Sequence, residues 1–293
     1  MRGPAENAEL ALLLEVAGTP KPGNVDRERD FPGLRFEHFL AGAVGARTGL
    51  RAAAEGAPVG ESFERAVAGM AEQSGGNTQF GALLLLVPLV AAAGQGRLSP
   101  DRAAAVAEGT TIADATGFYR AFDHVDVFVS DPPADMADLD VRRGSGAIPA
   151  LEERGLTLYD VMERSAPGDG DGAEWVSGFP QSFETGRRIA DDDGPVPDRA
   201  ARAFLALLAE EPDTLVVKQH GRDVAADVAD RASELLDADR DTDGTDGTGT
   251  GWDRTAVSAF GDDLVARGVN PGTTADVVAA GLFVALERHG VVV

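Results

Sequence analysis

The chain has 293 residues, with 26 Lys and Arg against 49 Asp and Glu, for a formal net charge of -23. That length buries a sizeable core, and that charge excludes nucleic acid and anionic membranes as main partners, since both are polyanions. Cysteine is absent, which excludes disulfides and thiolate metal sites.

The acid excess is spread along the chain, and lysine occurs only at Lys21 and Lys218. This composition points to a soluble, cytoplasmic protein adapted to a saline interior, with most carboxylates on solvated faces. No basic segment leads into an apolar run at the N-terminus, and no apolar run reaches membrane length.

Residues 5–17 place Leu10, Leu13, Leu14 and Ala17 at helical spacing. Gly18-Thr19-Pro20-Lys21-Pro22-Gly23-Asn24 then stops the helix and forms a stiff loop. Helical periodicity resumes over 36–54 and 62–73. Gly75-Gly76-Asn77-Thr78-Gln79-Phe80-Gly81 follows and opens onto the most apolar run, 82–93. That run is too short to span a bilayer and reads as a buried core helix. Its first turn presents free N–H groups, with Asn77 or Thr78 as cap. A plain capped helix and an anion cradle are the two readings of this turn.

Ser99-Pro100 is a cap followed by proline at the first helical position. Helices are expected at 103–107, 112–128, 156–164, 198–209, 215–236, 252–267 and 273–289, with a mixed segment at 175–189. Residues 125–129 are the sole candidate strand. Gly168-Asp169-Gly170-Asp171-Gly172 has only a fragment of a calcium-loop pattern and reads as a solvated loop. Residues 237–251, built from Asp, Gly and Thr, read as an acidic low-complexity loop. The expectation is an all-α fold. It forms a single large multi-helix domain over 1–293, with an active-site cleft made by loops and helix N-termini.

Walker A, GxGxxG, GxSxG and His-pair metal patterns are absent. Four turns instead share one design: a Gly or Pro loop, a polar cap, then an apolar helix. They are Glu15 to Asp26, Gly76 to Gly81, Asp213 to Gly221, and Asn270-Pro271-Gly272-Thr273-Thr274-Ala275-Asp276. If they converge, one pocket holds Glu15, Asp26, Asp213 and Asp276 with Lys21, Lys218 and several helix N-termini. Carboxylates beside cations and free N–H groups suit a Mg²⁺-polyphosphate ligand. Among the histidines, His220 is the strongest candidate, flanked by Lys218 and Gly221.

At these turns the sequence resembles the triphosphoribosyl-dephospho-CoA synthase family. Pro20-Lys21-Pro22-Gly23-Asn24-Val25-Asp26 is similar to the family's PKPGLVD, and Gly75 to Gly81 to its GxNTHKG. Gly178-Phe179-Pro180 matches a GFP, Asp213-Thr214 and His220-Gly221 a DTN and HRGG segment, and Asn270 to Asp276 an NPGxxAD segment. The order is kept over nearly the whole chain. Gln79-Phe80 stands where the family loop has His-Lys, and this leaves the acceptor open.

The resemblance implies an all-helical enzyme using ATP and Mg²⁺. In the family reaction a ribose hydroxyl of dephospho-CoA attacks the anomeric carbon of ATP. Adenine leaves, and the triphosphate stays on the transferred ribose. On this reading Glu15 or Asp26 lies near the reacting ribose, and Asp213 and Asp276 bind the metal. Lys21, Gly23, Asn77, Thr78, Gly81, Lys218, His220, Asn270, Gly272 and Thr273 hold the nucleotide and its phosphates. The competing readings are a non-catalytic nucleotide-binding module and a phosphoryl transferase releasing ADP.

Overall fold

The two most apolar segments of the sequence become the two central helices. In the computed structural model, which describes residues 2–132, 134–240 and 253–293, these are α4 (Phe80–Gly94) and α15 (Gly272–Glu287). Both are hydrophobic on every side, the pattern of a helix surrounded by other helices. Every residue of α4 from Ala82 to Ala93 is buried, as is almost all of α15 from Thr274 to Leu286. The two pack on each other, and the amphipathic helices close around them.

That outer layer takes the chain in order. It consists of α1 (Pro4–Ala17), α2 (Phe36–Ala54), α3 (Val59–Met70), α5 (Pro100–Glu108), α6 (Ile112–Ala121), α7 (Ile148–Arg154) and α8 (Leu158–Ser165). After these come α9 (Gly170–Ser177), α10 (Pro180–Asp191), α11 (Val196–Glu210), α12 (Thr214–His220), α13 (Arg222–Arg240) and α14 (Arg254–Ala266). One buried hydrophobic cluster runs from Ala5 to Leu286. The all-α expectation holds: among the described residues there are no strands, only isolated bridges between Asp26 and Arg29 and between Phe31 and Leu34. No helix among them is long and apolar enough to cross a membrane.

Three expectations need correction. The helix expected over 112–128 ends at Ala121, and residues 125–129 form a bend and irregular chain rather than a strand. The helix expected over 215–236 is two helices, broken at Gly221, whose φ of 89° favours glycine. The mixed segment at 175–189 is likewise two helices, α9 and α10, joined through Gly178 and a left-handed Phe179. Of the acidic stretch at 237–251, residues 237–240 continue α13, and the rest lies outside the described residues.

Close helix packing fixes the scaffold. A Cβ on Gly45 of α2 would stand 2.1 Å from the Gly69 carbonyl oxygen of α3, and one on Gly49 would stand 2.3 Å from the backbone of Ala66. Only glycine lets these two backbones approach so closely.

Candidate active site

Three helix starts are pinned to one another by short polar side chains. Asp213 caps α12, its Oδ1 accepting from the backbone N–H of Leu215 at 2.9 Å and of Val216 at 3.0 Å. Its Oδ2 accepts from both the backbone N–H and the hydroxyl of Thr274 in α15, each at 2.8 Å. Thr214 Oγ1 lies 3.0 Å from Thr273 Oγ1 and accepts from the Gly170 N–H at 3.0 Å. The N-terminal ends of α9, α12 and α15 therefore meet. Their first N–H groups are largely taken up by these caps, and the helices bring the positive ends of their dipoles to the meeting point.

The Asn77 turn brings α4 to the same place. Asn77 Oδ1 accepts from the Phe80 N–H at 3.1 Å and satisfies one donor of the first turn, but the N-cap position falls on Gln79 and not on Asn77 or Thr78 as expected. Thr78 Oγ1 is buried without a protein partner and faces Gly42 of α2, where a Cβ would come within 2.7 Å of it. In the first turn of α4, Gly81 sits between two carboxylates. A Cβ there would meet Asp276 Oδ2 at 2.1 Å and Asp171 Oδ2 at 2.6 Å. Asp276 is one turn into α15 and accepts from the backbone N–H of Ala82. Asp171 comes from the Gly168–Gly172 segment, expected as a solvated loop. It is instead buried in the first turn of α9, and its Oδ1 has no hydrogen-bond partner.

The electrostatics at this corner are unbalanced. Burial pushes the Asp171 carboxyl well above the usual range, and repulsion from Asp276 adds to it. Burial does the same to Asp276, helped by Glu15 and Asp213. Asp169 caps α9, accepting from the Gly172 N–H at 2.9 Å, and is paired with Lys218. Lys218 is thus one cation among three carboxylates.

These groups line the polar end of a cavity of about 680 Å³. Asn77, Gly81, Asp169, Asp171, Lys218, Asn270, Thr273 and Asp276 form that end. Phe80, Leu84, Phe118, Phe122, Leu156 and Met162 line the apolar remainder, together with the irregular segment 126–132.

A pin between helices holds the corner in register. Pro88 inside α4 has no N–H to donate to the Leu84 carbonyl four residues earlier. The indole N–H of Trp175 in α9 donates to that carbonyl instead, at 3.0 Å. Trp175 lies four residues after Asp171 and Leu84 three after Gly81, so each shares a helix face with the residue it registers.

Other expected site residues do different work. Lys21 is fully buried, paired with Glu15 and donating to Asn24 Oδ1 at 3.1 Å. Burial still lifts the Glu15 carboxyl, despite the Lys21 charge beside it. Asp26 Oδ2 accepts from the Lys21 N–H at 3.0 Å and its Oδ1 from the Glu28 N–H at 2.8 Å, so Asp26 folds its own loop. Gly23, at φ 72°, lets that loop pack on Val269 and Pro271. His220 Nε2 lies 3.1 Å from the Gly268 carbonyl and ties α12 to the loop between α14 and α15. Gly272 packs against Leu215. None of these residues lines the cavity, and neither does Asp213, whose oxygens are occupied by the clamp described above.

The carboxylate pair fits a magnesium ion. Asp171 Oδ1 is buried and unpartnered, and burial and mutual repulsion oppose ionisation of both carboxyls unless a cation joins them. Among the described residues no group of three or more His, Asp or Glu side chains is arranged for a metal. Mg²⁺ is commonly held by one or two carboxylates, with phosphate oxygens and water completing its shell. That is a demand this corner meets and a dedicated protein cage would not.

Comparisons with known proteins give the family. The family model CitG, ATP:dephospho-CoA triphosphoribosyl transferase, matches residues 1–292. A crystal structure from Archaeoglobus fulgidus, assigned as a triphosphoribosyl-dephospho-CoA synthase, superposes with a TM-score of 0.66 at 24% identity. The match covers 85% of this chain and 98% of that one. A search of curated protein sequences gives no match. The chain belongs to the ATP:dephospho-CoA triphosphoribosyl transferase family. It is a transferase, which moves the triphosphoribosyl group of ATP onto dephospho-CoA.

Proposed function

We propose that this transferase works at the Gly81 corner, where Asp171 and Asp276 together hold Mg²⁺ and the triphosphate of ATP. The observation that carries the reading is the buried, unpartnered Asp171 carboxylate facing Asp276 across Gly81. When bound, the cation neutralises phosphate charge and orients the triphosphate. Lys218, Asn270 and Thr273 bind the phosphate oxygens, at the positive end of the α15 dipole. The ribose of ATP then lies over Gly81, where a side chain would take its space.

Loss of adenine leaves positive charge at the anomeric carbon, as in glycoside chemistry. The carboxylates beside Gly81 stabilise that charge. The attacking hydroxyl of dephospho-CoA gives up its proton as its oxygen bonds to the anomeric carbon, and the departing adenine takes one up. The roles first expected of Glu15, Lys21, Asp26 and Asp213 become positioning roles behind this corner. The acidic composition supports a high-salt cytoplasm as the working compartment, with net charge maintaining solubility.

The test is adenine release from ATP and dephospho-CoA, followed by chromatography, for wild type, Asp171→Asn and Asp276→Asn. Both variants are expected to lose adenine release and Mg²⁺-dependent ATP binding. Wild-type release by either one, or ADP in place of adenine as product, overturns the reading.

A further inference from the structure

We propose that Phe80, with Phe122 and Phe118, forms the subsite for the purine ring of the donor nucleotide. This inference rests on the triphosphate lying at the Gly81 corner. Phe80 is the residue immediately before Gly81, so its Cα is about 3.8 Å from that of the residue flanked by both carboxylates. In a nucleoside triphosphate the ribose separates phosphates from base. With the phosphates held at Asp171, Asp276 and Lys218, and the ribose at Gly81, the base falls on Phe80.

What waits there is aromatic and built. The Phe80 ring meets Phe122 edge-on at 4.8 Å between centroids, and Phe118 lies 6.4 Å away. Phe63, behind them at 5.1 Å from Phe80, fixes the cluster from the α3 side. Phe80, Phe118 and Phe122 all line the cavity, and Phe80 is 5% exposed, so its ring is held rather than free to swing. An uncharged flat heterocycle suits this wall, because every base has a π-face that packs on aromatic rings without needing a hydrogen-bond code. Lysine, which the family loop carries at this position, puts a charge there instead. Phe80 therefore makes the base a larger share of donor recognition in this chain.

The acceptor, dephospho-CoA, also carries an adenine, so the experiment separates the two sources. Binding of ATP, inorganic tripolyphosphate and dephospho-CoA, each with Mg²⁺, is measured by titration calorimetry for wild type, Phe80→Leu, Phe80→Lys and Phe122→Leu. The expected result is ATP weakened about tenfold or more by the Phe80 variants, and less by Phe122→Leu. Tripolyphosphate and dephospho-CoA are expected to bind the two leucine variants as they bind wild type, and Phe80→Lys, which adds a cation beside the phosphates, is expected to bind tripolyphosphate at least as tightly as wild type. Loss of dephospho-CoA with ATP unchanged assigns the purine site to the acceptor and overturns the proposal, as does unchanged binding of all three. Equal loss of ATP and tripolyphosphate in all three variants also overturns it, because the effect is then on the phosphate end. Failure of the underlying reading looks different: wild type then shows no Mg²⁺-dependent tripolyphosphate binding at all.

Discussion

Two regions of this molecule, the loop after α1 and the meeting point of α4, α9 and α15, bury carboxylates and treat them in opposite ways. In the loop after α1, Glu15 is paired with Lys21, and Asp26 accepts two backbone N–H bonds and approaches Arg29 at 3.4 Å. At the Gly81 corner, Asp171 and Asp276 face each other, and Asp171 Oδ1 has no partner. The first loop is saturated and serves as structure. The second carries unneutralised charge, which a fold retains only where something else supplies the neutralisation. The difference teaches that a buried acid marks a ligand site when its partners are missing, rather than because it is an acid in a motif.

The sharpest break of this comparison is at the corner. Asp276→Asn is expected to lower the rate of adenine release about a thousandfold, or about 4 kcal/mol of transition-state stabilisation. The same change is expected to raise the melting temperature of the ligand-free protein, since it removes a repelled charge. A parallel loss of stability and activity counts against the assignment. The saturated loop answers in the other currency of measurement: Lys21→Met leaves Glu15 buried without its cation and is expected to cost about 3 kcal/mol in denaturant unfolding. The double variant Lys21→Met, Glu15→Gln is expected to regain most of that stability.

Gly81→Ala tests the space between the carboxylates. Its Cβ would stand 2.1 Å from Asp276 Oδ2, so both acids are displaced, and about a hundredfold loss of activity is expected in steady-state assays. Asp213→Ala removes a cap and the clamp to Thr274, and about 2 kcal/mol of stability is expected to go with them.

The smallest effect is the dependence on pH. Asp171 and Asp276 have carboxyls raised by burial and mutual repulsion. Their contribution to stability is complete below the ordinary carboxylate range and is lost as pH rises through their raised values, because the fold holds protons that the unfolded chain releases. The ligand-free protein should therefore melt a few degrees lower as pH rises over that window, and Asp276→Asn should flatten the slope. Mg²⁺ binding should strengthen over the same window, since cation and proton compete for the pair.

Much of this was legible in the sequence. Apolar periodicity located the helices, and Pro-Gly loops located their ends. The Asn77, Lys218, Asn270, Thr273 and Asp276 positions all reach the cavity as expected. Asp171 was missed because a short Gly-Asp-Gly-Asp-Gly stretch has the composition of a solvated turn. Its burial depends on α9 docking against α4 and α15, which no local pattern carries. The one local hint is Trp175, four residues on, which no surface turn requires. Lys21, Asp26 and Asp213 do not line the cavity, for a related reason. The residue types that bind phosphate and metal are the same types that fold a loop, and only the count of partners separates the two uses.

The joint between Pro88 and Trp175 constrains how this sequence can drift. Removing Trp175 alone strands the Leu84 carbonyl in the core, while replacing Pro88 by alanine restores an N–H to the helix and frees the indole of its duty. The change at 88 is thus permissive and the change at 175 is not, until the first has occurred. The order of substitutions is set by a single backbone oxygen, and a lineage that has acquired the proline is committed to the tryptophan that answers it.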